Sequence, residues 1–217
     1  MKNLLIKEFR LCASPLTWAM LAASLLTMVP GYPILLSAFF ISLGLFHSFQ
    51  NGRETNDILY SILLPVPKGD VVRAKYLFCA IIQLFGFLLM VVLTVIRMRL
   101  LGEAEVYRQN ALMNAGPLFL AFVLLIYSAF NTIFLGAYFK TAYKIGVPFL
   151  FFGIAVFILV VIGESLHFIP SLRFLNVPSG ERIGMQLLLL LAACVIYALA
   201  TYMACRSSQK KMERLDF

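Results

Sequence analysis

Charge is what this sequence has least of. Only 13% of its 217 residues are charged, against about 25% in ordinary soluble domains, so a water-soluble fold would have to expose large apolar faces that water penalises. The acidic residues are the scarcer sign, ten against eighteen basic, and none lies near the middle of an apolar run. Intramembrane carboxylates are the usual mark of proton-coupled pumps, so a proton-driven secondary transporter is disfavoured and any energy input must come from another polypeptide. The chain also lacks the phosphate-binding G-x-x-x-x-G-K-[ST] loop, the H-E-x-x-H zinc helix, the G-x-S-x-G nucleophile elbow and a potassium-filter sequence. No catalytic set remains, and the chain is not expected to be an enzyme. Cys12, Cys79, Cys194 and Cys205 show no metal-ligand spacing, which argues against a zinc site and against structural disulfides. His47 and His167 have no ligand partner nearby in sequence and are read as packing or interfacial residues, so no metal is assigned. Internal repeats, low-complexity tracts and a soluble domain are all missing.

What is there is apolar sequence, 62% of the chain. It falls into six runs, 14–29, 33–49, 76–96, 116–136, 146–162 and 183–205, each near the roughly 20 residues that cross a bilayer as a helix. The runs are continuous rather than alternating, which disfavours a β-barrel. The first two are separated by Val29-Pro30-Gly31-Tyr32-Pro33, a tight turn that makes them a hairpin. A cleaved signal peptide would orphan the second run, so the first is expected to be retained. The expected fold is all-α and polytopic, a single transmembrane domain over 1–217 with six spans. Thirteen of the eighteen Lys/Arg residues lie on the side of the termini; only Arg97, Arg99, Arg108, Arg173 and Arg182 lie opposite. The positive-inside rule then places both termini and the 50–75 segment in the cytoplasm. Basic residues dispersed in short loops make nucleic acid an unlikely partner.

Four segments outside the runs stand out. Residues 1–13 intersperse Leu4, Leu5, Phe9 and Leu11 with Lys2, Lys7, Glu8 and Arg10, either an interfacial amphipathic helix or a plain basic flank that fixes topology. Ser14-Pro15 follows as an N-cap and first-turn proline. The outer segment 164–182 is aromatic-rich and interrupted by Pro170 and Pro178; it either dips into the interface or is an aromatic-anchored loop. The tail 206–217 reads as short, basic and exposed. The cytoplasmic segment 50–75 is the one long polar passage in the apolar first half. At about 100° per residue, Thr55, Ile58, Leu59, Ile62 and Leu63 share one side, while Arg53, Glu54, Asn56, Asp57 and Ser61 share the other, joined there by Tyr60 and Leu64. An aromatic framed by charges is a protein-contact signature; a solvated loop is the alternative. Pro65-Val66-Pro67 ends the helix, and Lys68-Gly69-Asp70 starts the helix that runs into the third span.

The run Arg53-Glu54-Thr55-Asn56-Asp57-Ile58-Leu59-Tyr60-Ser61-Ile62-Leu63-Leu64-Pro65-Val66, followed by Lys68, Val71, Val72 and Ala74-Lys75-Tyr76, resembles the ABC-2 type transporter permease family. There an acidic-polar short helix leads to a leucine-leucine-x-proline turn, a basic residue and an alanine-lysine-tyrosine helix entry. In this chain the proline follows the two leucines directly. The plan of spans, interfacial helix and cytoplasmic helix also resembles the family.

The resemblance implies a permease subunit of an ATP-binding cassette exporter in the bacterial plasma membrane. It implies pairing with a second permease, identical or related, and with an ATPase dimer that binds ATP and Mg; membrane lipids surround the assembly. Residues 51–64 would form the coupling helix, with Arg53, Glu54, Asp57, Tyr60, Leu64, Lys68 and Lys75 as the coupling residues. Ser37, Ser42, Gln83, Ser128, Asn131, Thr132 and Thr201 would line the pathway or make ordinary interhelix hydrogen bonds. The expected cargo is a peptide or amphiphilic small molecule. The alternative is a non-transporting membrane immunity or sensor protein acting by protein contact.

Overall fold

The computed structural model describes the chain apart from residues 103, 109–111, 142–143, 167, 170–182 and 215–217, and apart from the side chains of residues 62 and 108. Every regular element among the described residues is helical. We number them α1 (Lys2–Cys12), α2 (Pro15–Met28), α3 (Leu36–Glu54), α4 (Asp57–Leu63), α5 (Lys68–Leu100), α6 (Glu105–Arg108), α7 (Pro117–Thr141), α8 (Gly146–Ser165) and α9 (Ile183–Glu213). Four of them, α5, α7, α8 and α9, are long and apolar enough to cross a membrane, and α1 with α2 makes a fifth if that bent pair is one span.

The N-terminal end departs from the expected run boundaries. The axis turns by 91° between α1 and α2. Ser14 supplies the break and the new start, its hydroxyl accepting from the Leu16 N–H at 3.3 Å, with Pro15 in the first turn. After Ala19, α2 tightens to a 3-10 helix over Met20–Met28. Helix α3 begins at Leu36, three residues later than the apolar run, and continues past it to Glu54. Its polar last turn, Asn51 to Glu54, lowers its apolarity, so α3 is not among the four long apolar helices. The two helices are joined by buried polar contacts: Thr17 Oγ1 donates to the Gly44 carbonyl at 2.6 Å and lies 2.7 Å from Ser48 Oγ, which accepts from the Ser14 N–H at 3.1 Å. Gly44 makes the close approach possible, because a Cβ there would sit 2.9 Å from Met20 Cβ.

Helix α7 is the core. Phe119, Tyr127, Phe130, Phe134, Tyr138 and Phe139 are all buried, and Phe134 packs edge-on against Phe49 at 5.4 Å between centroids. A π-turn over Phe130–Leu135 interrupts its α-geometry. Around it, α5, α8 and α9 bury one flank and leave long apolar faces uncovered, including Leu84, Leu88, Phe157, Leu188 and Leu199. Water would penalise such faces; hydrocarbon does not. On the far side from the termini, Arg97 is buried at the end of α5, donating to the Thr27 carbonyl at 2.5 Å and stacking 4.4 Å from the Tyr107 ring centroid.

The tail differs from its expected form. Helix α9 runs unbroken to Glu213 and buries Ser208 and Met212, because Ser208 Oγ pairs with Tyr76 OH at 2.9 Å and Lys211 Nζ donates to the Gly136 carbonyl at 2.7 Å. His167, Arg173, Arg182, Pro170, Pro178 and most of the outer segment lie outside the described residues.

Candidate functional site

The polar segment between α3 and α5 is two helical pieces rather than one. Asn56 sits in left-handed conformation, φ 53°, a geometry that asparagine tolerates better than most residues. It breaks the helix after Glu54, and α4 restarts at Asp57. Proline closes the piece at the other end: Leu64 is extended, and α5 starts at Lys68. The helical phase of residues 51–54 therefore does not carry across to 57–63, and the wheel that assumed one continuous helix is corrected on this point.

The consequence is clearest at Asp57. The wheel set it on the outward polar face with Ser61; the structure buries both. Lys75 Nζ, on the second turn of α5, donates to Asp57 Oδ2 at 2.7 Å and to Glu8 Oε2 at 2.8 Å. Lys7 Nζ donates to Asp57 Oδ1 at 2.7 Å and to Ser61 Oγ at 2.5 Å. Lys7 also lies 3.2 Å from Glu8 Oε1, an ion pair without hydrogen-bond geometry. Two ammonium groups and two carboxylates thus close a charge-neutral ring that joins α1, α4 and α5. Burial alone would push the Asp57 carboxyl up, but Lys75 and Lys7 outweigh it and hold the group at about 2.

Glu8, Cys12 and Asp57 bring donor atoms within 4.8 Å of one another. The arrangement does not suit a metal ion, because both carboxylates already face ammonium groups in the positions a cation would take. The ring's chemistry is mechanical: it ties a short helix both to the long helix that follows it and to the distant N-terminal helix.

With its back so held, α4 turns Leu59, Tyr60 and Leu63 outward, Leu63 at 85% exposure. Tyr60 is where the wheel set it. Leu59 and Leu63, expected to lie against the membrane or the span ends, are exposed: among the described residues Leu59 is about half covered and Leu63 is left almost bare. Glu54 is exposed and accepts from Gln50 at 3.4 Å. Arg53, Leu64 and Lys68 are half-buried. Lys75, expected to mark the start of the third span, lies seven residues inside α5.

A second polar cluster crosses the apolar body. Gln83 on α5 and Asn131 on α7 exchange reciprocal amide bonds at 3.0 Å. Asn131 Nδ2 also donates to Thr201 Oγ1 at 2.9 Å, and Tyr197 OH donates to Gln83 Oε1 at 2.8 Å. Of the seven polar residues singled out in the spans, the structure brings these three together. The other four hydroxyls bond carbonyls of their own helices or the adjoining turn: Ser37 to Ile34, Ser42 to Ala38, Ser128 to Leu124 and Thr132 to Ser128.

The family described as ABC-2 family transporter protein matches the chain over residues 3–209. The chain belongs to that family. No curated protein and no solved structure matches it. Membership makes this a multi-pass, permease-type membrane protein, and the match runs from the start of α1 to Gln209 in α9, one turn short of that helix's end.

In this permease the residues that sequence reasoning missed are Lys7 and Glu8. They were read as part of an interfacial helix or a basic flank. One signal was available: Glu8 is the sole acidic residue before Glu54, an expensive choice on a helix whose other residues, Asn3 apart, are apolar or basic.

Proposed function

We propose that this protein is the membrane-spanning permease subunit of an ATP-binding cassette exporter in the bacterial plasma membrane. Its six crossings include α2 and α3 as a hairpin, and both termini are cytoplasmic. A separate ATPase dimer binds ATP and Mg, and a second permease, identical or related, completes the pathway. The cargo is a peptide or an amphiphilic small molecule.

The observation that carries this reading is the pairing of two features on one seven-residue helix. The inner face of α4 is fixed by the Lys7–Glu8–Asp57–Lys75 ring, and its outer face presents Leu59, Tyr60 and Leu63 to whatever lies beyond the chain. A surface helix that must transmit force needs both an apolar anchor for its partner and a rigid connection behind it. Closure of the ATPase dimer would push on α4, and the ring would pass the displacement to α1 and α5 together. The Gln83–Asn131–Thr201 cluster, where α5, α7 and α9 meet, is where repacking would open a path.

The test is co-purification with the ATPase partner and measurement of its stimulated ATP hydrolysis, comparing native chain with Y60A/L63A. Both residues are exposed, so the variant should fold and reach the membrane. Loss of complex and of stimulation is expected; native values for both would overturn the coupling role of α4.

A further inference from the structure

Two cavities lie side by side between α5 and α9 and form the two parts of a groove. The outer part, about 650 Å3, is polar and lined by Lys68, Asp70, Arg73, Arg206, Lys210 and Glu213 among others. The inner part, about 380 Å3, is apolar and lined by Tyr76, Leu77, Ala80, Tyr202 and Cys205, with Met1 and Thr201. Arg73, Arg206 and Gln209 line both parts, so the two adjoin at these three side chains. The polar part carries four cationic side chains against two carboxylates. Arg206 is held upright at the junction, donating from Nε to Tyr202 OH at 3.1 Å with its guanidinium 5.5 Å from that ring. Gln209 fastens the two helices beneath it, donating to the Gly69 carbonyl at 3.1 Å.

We propose that this groove binds an anionic phospholipid from the leaflet on the side of the chain termini. Its phosphate sits between Arg73 and Arg206, and an acyl chain lies in the slot beside Leu77 and Ala80. Both volumes fall within the range of small-molecule sites, about 300–1,000 Å3, and basic pockets between membrane helices recognise phosphate headgroups. The grading from cationic to apolar follows the grading within a lipid. A free phosphate would use the polar part alone. A second copy seated on this face by two-fold symmetry would bring two groove mouths, each with excess positive charge, against one another.

The test uses the full-length, delipidated protein in a non-ionic detergent, with dioctanoyl phosphatidylglycerol, dioctanoyl phosphatidylcholine and inorganic phosphate as probes. Phosphatidylglycerol should bind at least about tenfold more tightly than phosphatidylcholine, from the charge excess in the mouth, and at least about tenfold more tightly than inorganic phosphate, from burial of its acyl chain in the apolar slot. R73Q/R206Q should weaken it roughly thirtyfold, at about a factor of five per charge, whereas K140Q/K144Q, which removes the same charge elsewhere at that end, should not. A80W, which fills the slot without touching charge, should also weaken binding, and it decides the matter if R73Q/R206Q does not fold. Equal affinity for the two lipids, equal affinity for phosphate, or native affinity in either groove variant would overturn the proposal. So would a shift in oligomeric state by A80W with lipid affinity unchanged, which would mark the face as a self-contact.

Discussion

Removing Lys75 is a severe single perturbation at the polar end of this structure. In the K75M variant, Asp57 and Glu8 lose their shared donor, at 2.7 and 2.8 Å, and the buried ring falls from neutral to a net charge of −1 with Lys7 as its one cation. Deleting one partner from a buried ion pair costs about 3–5 kcal/mol, because the remaining charge stays desolvated. D57N makes the opposite imbalance, two ammonium groups against Glu8 alone, and should cost a similar amount. The double variant K75M/D57N is neutral again, with Lys7 beside Glu8 at 3.2 Å. Its cost should therefore fall short of the sum of the two single costs by about 2 kcal/mol, within the range found for residues that share a network. Denaturant titration in mixed micelles, followed by the fluorescence of Trp18, measures all four corners of this cycle. Agreement of the double variant with the sum to within about 0.5 kcal/mol would refute the closed ring.

The same ring predicts an acid limb. The Asp57 carboxyl lies at about 2, below its ordinary 3.8, so the unfolded chain binds its proton first. The stabilisation is fully present above about pH 5 and is lost as pH falls toward 2; thermal melts across that window should show the loss, and D57N should lack this component. At the α2–α3 hairpin, Gly44→Val would drive a side chain into Met20 and the Thr17 backbone; overpacking of this kind costs about 1–3 kcal/mol. The cost should appear as a lower melting temperature, and a melt equal to the native one would disprove the close approach.

Local punctuation was legible in the sequence, and long-range pairing was not. Ser14-Pro15 announced the start of α2, and Pro65-Val66-Pro67 announced the end of α4, because capping and proline restriction depend on neighbouring residues alone. The apolar runs located α5, α7, α8 and α9, since a lipid-facing helix must be apolar along its length. Asn56 was harder to read. Asparagine visits left-handed geometry without being obliged to, and that single residue changed the phase of α4 and turned Asp57 from the outer face to the inner. Lys7 and Glu8 meet Asp57 and Lys75 across 50 and 67 residues, and no spacing rule connects them. Gln83 and Asn131 stood out because amides inside hydrocarbon need partners, although the identity of the partner emerged from the fold.

Helix α5 is a single unbroken rod from Lys68 to Leu100. Lys75 near one end is bound to α1 and α4, Gln83 is bound to α7, and Arg97 near the other end is bound to α2. Lys75 and Arg97 are about 33 Å apart along it at 1.5 Å per residue. A tilt of about 5° about the Lys75 end would therefore carry Arg97 sideways by about 3 Å, roughly the length of a hydrogen bond. The rod acts as a lever whose short arm is clamped in the ion ring. A rotation of that size at α4 would be enough to make or break the Arg97–Thr27 contact at the opposite end of the α2–α3 hairpin.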